Sequence, residues 1–430
     1  MRGSVDFDKE RLAHNLTPGA ALEAWTATAT STARASLNRL LAWLEASPEI
    51  TSDPNDFKAH PWFTRRIVSP HGHPSRIVLK AAYAAFAFAP ELMRKVCSIP
   101  RVQTAGAATW LAQGFLRVYG LTRDIRYLAI AEEWMARLES LKIRDREESL
   151  WGFPFDWQSV ILIPANTPLS YTSWQAAQTY FEYYHMTGSE EALRRTVATC
   201  QSMLRTFTRP VDIPAELCLS YSPYDCMQVY NVNALMGGLF SQLGAEVGNS
   251  ELSTCGARLL NWVARGQQED GRWIYFSKSF RTVANSVDHF HTAMTLQGLL
   301  SGYLAAQEHQ EWEKALERGI EFYLNYLFDS KCRPRFSDSA SYPTDVMSCA
   351  EGILFLDQLR RSIPGGLSSS QVEIQEVLYG LVDWVISDFQ EKRGSFYFQG
   401  YPGYKIRLRS YRWGQGAMLK ALASFLQEPA

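Results

Sequence analysis

One helical signature recurs along the chain. It reads Ala112-Gln-Gly-Phe-Leu116, Ala177-Gln-Thr-Tyr-Phe181, Met236-Gly-Gly-Leu-Phe240, Leu296-Gln-Gly-Leu-Leu300 and Ala350-Glu-Gly-Ile-Leu354, with a sixth, divergent copy at Met418-Leu-Lys-Ala-Leu422. The starts at 112, 177, 236, 296, 350 and 418 lie 65, 59, 60, 54 and 68 residues apart. A period near that length holds one helical hairpin and a substantial loop. Open α-solenoids use repeats of about 33–47 residues on short loops, so the spacing favours a closed ring.

Each apolar copy is followed by an amphipathic partner, expected over 125–141, 190–207, 251–263, 311–327 and 372–389. The sixth copy ends the chain. Its partner is then the first helix, 30–45, with Leu37, Leu40, Leu41 and Leu44 on one stripe. Six helical hairpins closed in this way make an all-α (α/α)6 toroid with an inner and an outer ring. The whole chain, 1–430, reads as a single domain of this kind, with a loop-rich N-terminal section over 46–76 and an apolar helix near 77–88. Gly114, Gly237, Gly238, Gly298, Gly352 and Gly416 fall in the inner helices. A mid-helix glycine costs about 1 kcal/mol against alanine, and close helix–helix approach would offset it.

Composition narrows the function. With 46% apolar and 20% charged residues the chain can build a large core, and its net charge of −1 leaves no electrostatic footprint for nucleic acid or an anionic membrane. Seven scattered cysteines without a CxxC point to reduced thiols and a cytoplasmic setting. The start, MRGSVDFDKERLAHNL, has no apolar core of a signal peptide. No apolar run approaches the roughly 20 residues that span a bilayer, so membrane insertion is not expected.

The longer loops all precede the apolar helices, which gathers them over one mouth of the ring. They are rich in aromatics and in polar hydrogen-bonding groups: Trp157, Tyr171 and Trp174 before and in the second copy; Tyr221, Tyr224, Asp225 and Asn231 before the third. Trp273, Asp288, His289 and His291 precede the fourth, Asp345 the fifth, and Tyr404, Arg409, Tyr411, Arg412 and Trp413 the sixth. Flat apolar rings stack on the C–H faces of sugars, while sugar hydroxyls need many donors and acceptors. A carbohydrate is therefore the expected partner, with other proteins of polysaccharide synthesis as further candidates. Tyr221, Asp288, His289, His291 and Tyr411 are the expected catalytic groups. The remaining rim residues are expected to bind substrate, with Arg407, Arg409 and Arg412 a candidate reader of acids. Each also has a structural reading. Asp225, Asp288 and Asp345 stand where helix N-caps stand, rim aromatics serve as plugs between hairpins, and His289-x-His291 lacks a third metal ligand. Neither a metal nor a cofactor is expected.

Two resemblances add to this. Gln267-Gln-Glu-Asp270-Gly271-Arg-Trp273 is similar to the QxxDGxW repeat of terpene cyclases, and Val287-Asp-His-Phe-His-Thr-Ala-Met294 resembles their acid-motif segment, although no DDxxD occurs. A closer likeness, from Thr172 to the end, is to the helical domain of D-glucuronyl C5-epimerases and related toroids of bacterial polysaccharide clusters. It rests on the Gly-Arg-Trp273 turn before Met-Thr-Leu-Gln-Gly298, on Tyr342-Pro-Thr344, on Gly-Ser-Phe-Tyr397 and on Tyr411-Arg-Trp413. The resemblance implies the toroid fold and chemistry on a uronate, by C5 epimerisation or β-elimination. A glycoside hydrolase using two of Asp225, Asp288 and Asp345, a non-catalytic glycan-binding toroid, and a cyclase-like toroid are the alternatives.

Overall fold

The computed structural model describes residues 18–47, 51–60, 81–82, 84–143, 149–158, 161–277, 287–306, 309–363 and 371–427. Among them, twelve long helices follow one another: α1 (Pro18–Glu45), α2 (Ala105–Thr122), α3 (Ile125–Ser140), α4 (Ser170–Thr187), α5 (Glu190–Thr206), α6 (Tyr230–Val247), α7 (Ser250–Arg265), α8 (His289–Ala306), α9 (Gln310–Tyr326), α10 (Val346–Ser362), α11 (Gln371–Trp384) and α12 (Gln415–Phe425). A π-helical turn, Val385–Phe389, extends α11. The even-numbered helices carry the repeated signature. They touch in the order α2, α4, α6, α8, α10, α12 and back to α2, which closes an inner ring. Helices α3, α5, α7, α9 and α11 back onto their preceding partners, and α1 packs on both α12 and α11. The first and last helices of the chain thus complete the sixth hairpin, as the repeat requires.

The two ends of the ring differ, for local reasons. Inner helices α2, α4 and α6 stop at a left-handed residue: Arg123 (φ 58°), Gly188 (φ 74°) and Gly248 (φ 65°). The next residue caps the outer helix, as Asp124, Ser189 and Asn249 accept from Arg126, Ala192 and Leu252 backbone N–H groups. A left-handed stop followed by a polar cap reverses the chain in two residues. All the length is left for the outer-to-inner loops. They hold short antiparallel pairs, β1 (Trp157–Gln158) with β2 (Leu162–Ile163) and β3 (Val211–Ile213) with β4 (Glu216–Cys218). A three-stranded sheet joins β5 (Thr344–Asp345), β6 (Gln399–Tyr401) and β7 (Tyr404–Ile406). Of the loop-rich section expected over 46–76, the described part includes a 3-10 turn, Asp56–Ala59. Of the helix expected near 77–88, residues 81–82 and 84–88 are described and are helical, and the rest lies outside the described residues.

Two glycines show why the inner ring is so tight. A Cβ on Gly298 would lie 2.2 Å from the Ala234 carbonyl carbon, and one on Gly238 would lie 2.5 Å from the Gly298 carbonyl oxygen. Helices α6 and α8 therefore meet backbone to backbone, and the propensity cost of glycine is exchanged for contact. Gly298→Val is expected to cost about 3 kcal/mol or more through overpacking, read as a large fall in melting temperature. A variant as stable as the parent would show that the two helices can separate freely.

Tryptophans pin outer helices to loops. Trp151 Nε1 donates to the Leu138 carbonyl (2.8 Å), and Trp273 Nε1 to the Val263 carbonyl (2.8 Å). Gln267 adds bonds to the Gly271 and Ala315 carbonyls, at 2.9 and 2.8 Å, and Gly271 takes the positive φ (87°) expected of Asp-Gly. The QxxDGxW stretch is thus a clamp between α7 and α9. Lys420 (α12), Glu182 (α4), Gln113 and Arg117 (both α2) form a linked polar network. Lys420 Nζ lies 2.7 Å from Gln113 and 2.8 Å from Glu182, and Arg117 lies 3.0 Å from Glu182. It links three inner helices across the ring. All seven cysteines are free thiols, and among the described residues no helix is long and apolar enough to cross a membrane.

Candidate functional site

The long-loop end gathers groups from five inner helices and their approaches. Asp288 caps α8, accepting the His291 backbone N–H at 2.9 Å on one oxygen. Its other oxygen lies 2.6 Å from His291 Nδ1. The spacing of Asp and His by one helical turn produces this pair directly. Burial works against the Asp288 charge, but His291 more than offsets it and holds the carboxyl below its usual range. With Nδ1–H given to Asp288, His291 Nε2 is left to accept a proton. Tyr275 packs on the His291 ring at 4.5 Å between centroids, and Phe290 at 4.9 Å.

Across from it, Asp345 caps α10. It accepts from Met347 N (2.8 Å), Trp413 Nε1 (2.9 Å) and Gln399 Nε2 (2.8 Å), yet burial lifts its pKa to about 6. Asp288 and Asp345 are close enough for each charge to disfavour the other. Nearly two turns deeper, Glu351 is 3% exposed and bonded to Gln297 at 2.6 Å. Burial raises its pKa to about 7, with His291 and Lys420 near enough to pull it partly back. His291 and a carboxyl that burial lifts to about 7 thus lie within electrostatic reach of one another.

Aromatic walls surround these groups. Phe290 meets Trp413 at 5.4 Å, Trp157 meets Tyr221 at 5.6 Å, and Tyr171 meets Trp174 at 5.9 Å. Burial drives the Tyr171 and Tyr221 hydroxyls well above their ordinary pKa, and Tyr171 lies within electrostatic reach of Glu351, Tyr221 and Arg412. The guanidinium of Arg412 lies over the rings of Phe153 (5.1 Å) and Trp413 (5.2 Å) and is held by both oxygens of Asp53. Trp174 Nε1 and Asn231 Oδ1 are buried polar atoms with no hydrogen-bond partner among the described residues. Such atoms await a ligand or water.

Several expected site residues are placed elsewhere. His289 is fully buried behind the mouth, with Nε2 3.0 Å from the Tyr323 hydroxyl and its pKa pulled down to about 3 by burial. Trp273 is 3% exposed in the clamp described above. Tyr411 is packed between Trp43 and Trp134, at 6.2 and 5.9 Å. Asp225 ties its own loop, accepting from Tyr221 N, Ser222 N, Ser222 Oγ and Met227 N at 3.1, 2.8, 2.6 and 2.9 Å. Tyr224 is 65% exposed on that loop. Arg409 and Arg407 both turn to Glu391, at 3.4 and 2.9 Å, so the three arginines do not form one cluster. Arg409 and Tyr404 instead line a cavity of about 670 Å³ on the outer flank, beside Trp43 of α1. The mouth therefore keeps Tyr221, Asp288 and His291 of the expected catalytic set. Of the expected binding set it keeps Trp157, Tyr171, Trp174, Asn231, Asp345, Arg412 and Trp413.

Glu351 escaped notice although its signal is present: it is the acid in the fifth copy of a signature that has Gln113, Gln178 and Gln297 at the matching position of three others. Among the described residues no three His, Cys, Asp or Glu side chains gather as a metal site would require.

The class of protein defined here is a closed double ring of helices with one elaborated mouth, and solved structures share it. No family model and no curated protein matches the sequence. A cellobiose 2-epimerase from Bacillus thermoamylovorans superposes with a TM-score of 0.61 at 9% identity, over 76% of this chain and 90% of that one. An unsaturated glucuronyl hydrolase specific for heparin gives 0.60 at 13% identity, over 94% and 97%. A polysaccharide lyase, BACCELL_00875, gives 0.52 at 12% identity, over 75% and 90%. At such identities the likeness is one of fold, and the toroid expected from the repeat is the fold observed.

Proposed function

We propose that this chain is a carbohydrate-active enzyme that moves a proton at a sugar carbon, with His291 as base, Asp288 as the group that orients it, and Glu351 as acid. The observation that carries this reading is the His291–Asp288 pair sharing an aromatic-walled mouth with a carboxylic acid protonated near neutral pH. A carbon acid needs a base within about 3 Å and a donor for the charge that develops on the neighbouring oxygen. On a uronate, His291 Nε2 takes the proton α to the carboxyl group, and the C–H electron pair passes into that group as an enolate. Return of a proton from Glu351 to the opposite face gives the C5 epimer. Transfer of that proton to the leaving glycosidic oxygen gives β-elimination instead. The structural neighbours include an epimerase and a polysaccharide lyase, which is the company this chemistry keeps. The reading calls for neither metal nor cofactor, and it sits in polysaccharide synthesis or modification in the cytoplasm.

Hydrolysis is the second reading. Asp288 and Asp345, one held charged and one lifted to about 6, are the unequal carboxylates that a glycosidase uses. Asp225, spent on its own loop, drops out of that pair. Incubation of uronate oligosaccharides in D2O separates the readings. Epimerisation places deuterium on C5, elimination yields an ultraviolet-absorbing unsaturated product, and hydrolysis frees reducing ends without deuterium at carbon. Reducing ends alone would overturn the proton-transfer reading in favour of hydrolysis, and no change in any substrate would leave a binding toroid.

A further inference from the structure

A charge cluster beside the mouth is out of balance. It joins Asp53, Asp56, Lys58, Arg94 and Arg412, and both acids and both arginines are at most 7% exposed. Each carboxylate is already matched. Asp56 is bonded to Arg94, with Oδ1 2.9 Å from Nε and 2.7 Å from Nη2. Its other oxygen accepts the Asp53 backbone N–H at 2.9 Å. Asp53 gives both of its oxygens to Arg412, with Oδ1 2.9 Å from Nη2. Three cations thus face two anions. The one left over is Lys58, half-buried on the 3-10 turn Asp56–Ala59, which packs against β1 and so against Trp157. Among the described residues no carboxylate comes within ion-pair distance of its amine.

We infer that Lys58, with the Arg412–Asp53 pair behind it, is the reader of an anionic group on the sugar, a carboxylate or a sulfate ester. The inference rests on the mouth being the sugar site proposed above. The physical case is one of desolvation. An ammonium taken from water without a counter-ion is costly, and a substrate anion would supply the missing partner. Burial, and next the nearby Arg412 guanidinium, lower the Lys58 pKa, with Asp53 acting against them. An arriving anion would reverse that shift. Arg412 cannot serve alone, because its charge is balanced by Asp53 and its guanidinium already lies over the rings of Phe153 and Trp413. The inner-helix N-termini at the same end add a weaker positive potential. The negative groups of the mouth, Asp288 and Asp345, cap α8 and α10. The substrate is thereby oriented with its anion toward the 3-10 turn.

The test is titration of the full chain with three tetrasaccharides: one containing D-glucuronate, its carboxyl-reduced form, and the reduced form bearing O-sulfate. The parent is expected to prefer an anionic form. Lys58→Met should lose that preference by about tenfold or more, the usual weight of one charged hydrogen bond, and Lys58→Arg should recover part of it. The melting temperature of Lys58→Met should stay level or rise, since an unmatched cation is removed. Equal losses on the neutral and anionic sugars, or a parent that does not distinguish them, would overturn the inference. Lys58-dependent binding without any deuterium exchange would sink the proposed reaction and leave this inference standing. Exchange with affinity undiminished in Lys58→Met would do the reverse.

Discussion

His291→Ala is expected to lower turnover by about 10²–10⁴-fold, the usual weight of one positioned base, with substrate affinity changed far less. The Asp288 carboxylate bonded to Nδ1 makes a second variant informative. Asp288→Asn keeps the helix cap, because asparagine caps as well as aspartate does. It no longer fixes the imidazole tautomer, so turnover should fall steeply while the melting temperature barely moves. His289→Ala offers the contrast. Its ring is buried beside Tyr323 and Phe328, 4.8 Å from each ring centroid, so stability should fall, with no selective effect on the chemical step. Turnover by His291→Ala within about threefold of the parent would remove His291 from the chemistry. A base contributes at least about a hundredfold when it acts in the transition state.

Glu351→Gln is expected to change how stability depends on pH. Burial raises the Glu351 pKa from 4.5 to about 7. Between those values the folded chain keeps a proton that the unfolded chain has released. Raising the pH through that window therefore removes stability, on the order of 3 kcal/mol for the whole shift. Glutamine carries no such proton and can keep a hydrogen bond to Gln297. The melting temperature of the variant, compared with the parent, should rise steadily from pH 5 to pH 8. Asp345, lifted to about 6, acts in the same direction over a lower window, so the variant keeps part of the slope. A difference between variant and parent that stays flat with pH would mean that Glu351 titrates as an ordinary glutamate. It could not then be the acid held ready at neutral pH. Activity carries the same signature: the alkaline fall of the rate near pH 7 should disappear in Glu351→Gln, along with most of the rate.

The sequence by itself determined the ring. A signature repeated at intervals near sixty residues, each copy followed by an amphipathic partner, leaves six hairpins. The divergent last copy has no partner but the first helix. Gly238 and Gly298 also announced the close inner packing, since helix propensity opposes them and only contact compensates. Asp288 and His291 were legible because one helical turn separates them, and a cap with its third residue is a local geometry. Local patterns fail where partners come from distant parts of the chain. Nothing in the sequence shows that Arg412 is matched by Asp53, that Arg407 and Arg409 turn to Glu391, or that Lys58 is left unmatched. The Arg412–Asp53 pairing spans 359 positions, and those of Arg407 and Arg409 with Glu391 span 16 and 18 within one irregular segment, so none follows a helical or strand period. Burial is likewise a tertiary property. Trp273 and Trp413 are both aromatics beside a turn, yet the first closes a seam between α7 and α9 and the second lines the mouth. Glu351 looks like one more polar position in a helical repeat until the closed ring takes its water away. That desolvation, which no spacing encodes, turns an ordinary carboxylate into an acid for neutral pH.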